Sequence, residues 1–93
     1  VKNSSSLNVT TNGACANNTW CTLNNASVSF TAANAQFAND RYNCTLSSTS
    51  AYLLNPLANN QTTTGFQIQA FNSSGSSIAG GSDLGLTYAC FGI

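Results

Sequence analysis

The side chains that could do chemistry in this 93-residue chain fall into three small sets: four cysteines, two carboxylates and a scatter of Asn-x-Ser/Thr triplets. There is no histidine, so no side chain has an ordinary pKa suited to proton transfer near pH 7. Asp40 and Asp83 are the whole acidic complement. Asp83 is expected to cap the turn into Leu84, and Asp40-Arg41 to form a solvated turn, so the two would meet as a catalytic pair only by accident of folding. Serines and threonines are abundant, yet none has a visible neighbour that would activate its hydroxyl. The expectation is a protein that is not an enzyme and needs no cofactor.

Cys15, Cys21, Cys44 and Cys90 have no histidine companions and no Cys-x-x-Cys spacing, which favours disulfides over a metal site. The triplets are glycosylation sequons at Asn3, Asn8, Asn17, Asn25, Asn43, Asn60 and Asn72. With 14 asparagines in the chain, chance alone would supply about three or four, because roughly a quarter of residues are Ser or Thr. The excess is expected to reflect attached glycans; the plainer alternative is that Asn, Ser and Thr simply solubilise strands. The sequon Asn43-Cys44-Thr45 is built around a cysteine. In an extended strand Tyr42, Cys44 and Leu46 share one face, and Arg41, Asn43, Thr45 and Ser47 share the other. The apolar set should face the core, leaving the cysteine inside for a bridge and the asparagine outside for a sugar.

The composition sets the context. Charged residues make up 4 % of the chain, against about 25 % in ordinary soluble domains. No basic stripe exists to neutralise phosphates, which argues against nucleic acid and against an electrostatic membrane anchor. No apolar run is long enough to span a bilayer. A chain that starts at Val1 is expected to be a mature exported chain or an excised fragment. Such a short chain buries only about 60–65 % of the surface its unfolded form exposes, so cross-links matter to it. With two acidic side chains and no histidine, little titrates between neutral pH and strong acid, and acid tolerance is expected.

These groups need elements to hold them. Strong helix formers are sparse, β-branched and aromatic residues are plentiful, and Asn/Ser/Gly clusters recur about every ten residues, which reads as a small antiparallel β-sandwich, Ig-like or jelly-roll-like. The predicted strands are Ser5–Thr11, Ala26–Ala32, Arg41–Ser47, Ala51–Leu54, Thr63–Phe71 and Leu84–Phe91. Val28 and Phe30 oppose Ser29 and Thr31. Phe66, Ile68 and Ala70 oppose Gln67 and Gln69. Leu84, Leu86, Tyr88 and Cys90 share a face. Asn55-Pro56 reads as a turn, Asn72 to Ser82 as a flexible loop, and Ala32 to Ala38 as room for a short helical turn. Of the three connectivities that four cysteines allow, geometry prefers Cys44 with Cys90, both on apolar strand faces, and Cys15 with Cys21, close together in a polar loop. Trp20, beside that staple, could stack on a sugar, fill a neighbouring subunit's pocket or cover its own core.

Two resemblances follow. The stretches Thr62-Thr63-Thr64-Gly65-Phe66-Gln67-Ile68, Phe71-Asn72-Ser73-Ser74-Gly75 and Leu86-Thr87-Tyr88-Ala89-Cys90-Phe91-Gly92-Ile93 make the second half resemble the tip domains of phage tail fibres and H-type-lectin-like β-sandwiches. That resemblance implies a trimer that binds surface glycans, with Trp20, Tyr52 or Phe71 as contacts. Paired cysteines and dense sequons depart from that pattern. In size and composition the whole chain is similar to subunits of thin, glycosylated, thread-like archaeal surface filaments. This second resemblance implies a secreted structural subunit whose N-terminal strand completes the sheet of the next copy in a head-to-tail homopolymer. Residues 1–13 are the candidate donor, with Leu7 and Val9 as its apolar pair and Gly13 as its link to a body of residues 14–93. An open sheet edge invites pairing, and a donated strand satisfies it. The other arrangement is that this strand pairs within its own domain.

Overall fold

A computed structural model of the protein describes residues 2–48 and 54–93. The chain is nearly all-β. Its strands are β1 (Lys2–Leu7), β2 (Thr10–Thr11), β3 (Thr19–Trp20), β4 (Leu23–Asn24), β5 (Ser27–Ser29), β6 (Asn43–Ser48), β7 (Leu54–Thr62), β8 (Gly65–Asn72) and β9 (Leu86–Phe91), with one 3-10 turn at Ala33–Ala35. Two antiparallel sheets pack together. One has the order β1-β9-β6; in the other β8 is central, with β7 on one edge and β3 and β5 in line along the opposite edge. A small β2-β4 pair bridges between them.

The period-two patterns place the core as their residue types require. Val28, Phe30, Phe66, Ile68, Ala70, Leu84, Leu86 and Cys90 are buried, whereas Ser29, Thr31, Gln67 and Gln69 are exposed. On β6, Cys44 and Leu46 pack against the core and Asn43, Thr45 and Ser47 face solvent. Cys44 lies directly opposite Cys90 in the β6–β9 register and is bonded to it; Cys15 is bonded to Cys21. One segment therefore offers its cysteine inward and its sequon outward. The short helical turn also forms, at Ala33–Ala35.

Three stretches differ from the sequence-based expectation. β7 is a nine-residue strand where Asn55-Pro56 suggested a turn. Its composition hides it: it carries three asparagines and a proline. Proline is tolerated because β7 is an edge strand and Pro56 pairs with Ala70. The Ala70 carbonyl is already used by the Cys21 N–H on the opposite edge of β8, so the Pro56 position makes no ladder bond to β8. Second, the Asn72–Ser82 stretch is tied down rather than free: Ile78 is buried and exchanges two backbone hydrogen bonds with Cys15, both 2.8 Å. Third, the N-terminal strand begins earlier, at Lys2, and is interrupted at Asn8-Val9. The predicted Ala51–Leu54 strand, apart from Leu54, lies outside the described residues, as does Tyr52.

At one end of the sandwich, Tyr42 stacks on Phe37 with ring centroids 4.0 Å apart, and Phe30 meets both rings edge-on. The Tyr42 hydroxyl donates to the carbonyls of Thr62 and Gly65, each at 2.8 Å, and so fastens the β7–β8 turn to the core. Burial pushes the Tyr42 pKa up, and the Asp40 carboxylate adds to the effect. A raised pKa means that the fold holds this proton more tightly than the unfolded chain does. Its contribution is therefore complete below the ordinary tyrosine range, at about pH 10, and is lost as pH climbs through the folded value. On the acid side only two side-chain carboxylates can protonate. The expected profile is a melting temperature nearly constant from about pH 3 to pH 8 that falls in alkali above about pH 10. A collapse between neutral pH and pH 3 in a calorimetric series would contradict it.

Candidate functional site: an N-terminal arm and a charge-free groove

Two features stand out from the sandwich, one on each sheet. The first is the N-terminal arm. β1 runs antiparallel to β9 from Lys2 opposite Phe91 to Leu7 opposite Leu86. Beyond the break the same register continues: the Val9 carbonyl accepts from Leu84 N–H, Thr10 faces Asp83, and Thr11 N–H donates to the Ser82 carbonyl. The expected inward pair is present, with Leu7 half-buried and Val9 fully buried in the core. Burying a valine of this kind contributes on the order of 1.5–3 kcal/mol.

Sequence reasoning missed Thr11. It is almost fully buried, its hydroxyl donates to the Ala79 carbonyl at 2.9 Å, and it accepts from Ser82 N–H at 3.0 Å. The period-two step from Leu7 through Val9 to Thr11 could have found it, but the hydroxyl hid an inward residue. After Asn12 the chain turns at Gly13, whose φ of +78° suits glycine. The arm is thus a strand that closes one sheet edge and plugs the core, joined to the body at one glycine.

The second feature arises on the far sheet. The chain that lines the β3/β5 edge of β8 is bonded to it at Cys21 and again at Ala26. Between those points it leaves the sheet so that β4 can pair with β2. The detour opens a groove of about 420 Å³, lined by residues that include Trp20, Leu23, Asn25, Ser27, Gln67 and Gln69, with no charged side chain among them. Trp20 is 56 % exposed and does not cover the core. Its ring meets its cross-strand partner Phe71 edge-on at 5.3 Å, which fixes its orientation. The Gln67 amide is held through its oxygen by Asn60 Nδ2 at 2.8 Å.

The sequon asparagines separate into groups. Asn8, Asn17, Asn25, Asn43 and Asn60 are exposed; Asn3 is half-buried and donates to the Ala35 carbonyl at 2.6 Å. Asn72 departs from the expectation of a loop residue open to modification. It ends β8 fully buried, and its Nδ2 donates to the carbonyls of Cys15, Ala16 and Ser76. Asp83 forms the expected turn, accepting from Gly85 N–H at 2.9 Å. Among the described residues no group of three or more His, Cys, Asp and Glu could hold a metal, and no helix is long and apolar enough to cross a membrane. The two disulfides point to a non-reducing environment. Comparison with protein-family models, with curated proteins and with solved structures finds no match to this chain.

Proposed function

We propose that this protein is a non-enzymatic extracellular structural subunit, N-glycosylated at exposed sequons, that polymerises head-to-tail into a surface filament by donating its N-terminal arm to the next copy. The observation that carries this reading is the arm itself. Lys2 to Asn12 supplies an edge strand, the buried Val9 and the buried Thr11 to a slot formed by residues 79–91 and 22–24, and a single glycine connects it to the body. A second copy's arm can make every one of these contacts unchanged, so exchange between copies costs no pairing energy and depends on the link at Gly13. A head-to-tail exchange builds a fibre when the rotation from one copy to the next does not close into a ring. Buried strand pairing is insensitive to ionic strength, and a chain with four charged side chains adds little that salt could screen.

Register partners provide the test. Ser4 faces Ala89 across the β1–β9 pair. Ser4→Cys and Ala89→Cys chains, prepared separately and then assembled together, should form a disulfide linking two different chains. A single chain carrying both substitutions and oxidised before assembly should have its arm locked at home and remain monomeric. Fibres seen by negative stain for the wild-type chain, at both low and high salt, complete the expected result. Fibres from the locked chain, or no inter-chain bridge in the mixture, would overturn the donor-strand mechanism.

A further inference from the structure

We propose that the groove beside Trp20 is a saccharide subsite for a neutral pyranose. It lies on the β8 sheet and no arm residue lines it, although the β4 detour that opens it pairs with Thr10 and Thr11 of an arm, whether the chain's own or a neighbour's. The argument rests on what the groove offers and what it lacks. An indole face is held in the open by its contact with Phe71, and an apolar planar surface of this kind complements the C–H face of a sugar ring. Beside it stand the side chains of Gln69, Gln67 and Ser27, exposed on adjacent strands. An amide presents both donors and acceptors, which suits a ligand made of hydroxyl groups. The bond from Asn60 holds Gln67 in place while leaving its amide nitrogen as a donor. The absence of any charged lining residue disfavours anionic or cationic ligands, since a buried charge would find no partner there. The volume of about 420 Å³ falls within the range of small-ligand sites.

Such a pyranose has two possible origins with the same chemistry. Asn25 lines the groove and begins the sequon Asn25-Ala26-Ser27, so the sugar can be the chain's own glycan folded back onto Trp20. It can equally belong to a separate glycan. Trp20 is the only tryptophan in the chain, so tryptophan emission, excited selectively over the tyrosines, reports on this groove alone.

The experiment has two arms. Disulfide-bonded chain without glycans is titrated with chitotriose, mannotriose and cellotriose, and the same chain bearing N-glycans is compared with its Asn25→Gln variant for acrylamide quenching of Trp20. A saturable emission shift with one of the trioses assigns the groove to an external glycan. Gln69→Ala should then weaken binding roughly threefold to tenfold with an unchanged melting temperature, and Trp20→Ala should weaken it about tenfold or more by calorimetry. Shielding of Trp20 in the glycosylated chain that disappears in Asn25→Gln assigns it to the chain's own sugar. If no triose shifts the emission and Asn25→Gln leaves the quenching unchanged, the subsite does not exist.

Discussion

Replacing Asn72 with alanine is expected to cost about 3 kcal/mol of stability, one of the two largest effects of any small change in this protein. The reason is the number of groups that one amide satisfies. Its nitrogen is shared by the carbonyls of Cys15, Ala16 and Ser76 at 3.0–3.2 Å, and its oxygen accepts from the Ser74 N–H at 3.0 Å and the Ser74 hydroxyl at 2.7 Å. The side chain is fully buried, so water cannot replace these bonds without rearrangement. Among the described residues no buried side-chain polar atom lacks a partner. The alanine variant would remove the acceptor of the Ser74 N–H and leave the carbonyls of Cys15, Ala16 and Ser76 only their second donors, the Ile78 N–H and the hydroxyls of Thr19 and Ser74, with a cavity where the amide tied these segments together.

Asn72→Asp discriminates this account from simple loss of volume. Aspartate keeps the acceptor for Ser74 but sets a carboxylate oxygen against the three carbonyls, so it should destabilise at least as much as alanine despite its matching shape. Denaturant midpoints of the two variants, with Asn17→Ala as an exposed control, provide the measurement. An Asn72→Ala shift no larger than that of the control would refute the role. The same burial predicts that peptide mapping of native material finds no glycan on Asn72, while glycans occur among Asn8, Asn17, Asn25, Asn43 and Asn60.

The second large effect concerns the cross-links, which should be unequal. Cys44–Cys90 spans 46 residues and Cys15–Cys21 spans 6. On a chain-entropy account the long loop contributes about 4 kcal/mol and the short one about 2 kcal/mol. Small domains are stable by only about 5–15 kcal/mol in total. Paired Cys44→Ala and Cys90→Ala substitutions should therefore lower the melting temperature by about 20 °C, and paired Cys15→Ala and Cys21→Ala substitutions by roughly half as much. The position of the long bridge strengthens the expectation. It joins the central strand β9 to β6 at a register pair, with Cys90 fully buried. Equal losses from the two double variants would show that loop length does not govern the stabilisation, and a larger loss at Cys15–Cys21 would shift attention to the Asn72 hub beside it.

What the sequence determined by itself was local and alternating. Val28 and Phe30, Phe66 to Ala70, and Leu84 to Cys90 declare their inward faces because a strand repeats every two residues. Those faces in turn favour the pairing of Cys44 with Cys90 that the structure shows. The near absence of charge also carries the expectations of a flat acid-side stability profile and of no nucleic-acid partner. The tertiary structure decided everything that depends on a neighbour distant in sequence. β7 carries no clear pattern, because an edge strand with one pairing partner can hold Asn and Pro, and only the β8 ladder reveals it. Asn72 looks like any other sequon until three carbonyls from distant segments surround it. The groove beside Trp20 exists because β4 leaves the sheet to pair with β2, a choice made between strands and invisible in either one. Side-chain alternation is a property of each strand's own backbone, whereas edges, buried polar hubs and grooves are properties of which strands become neighbours.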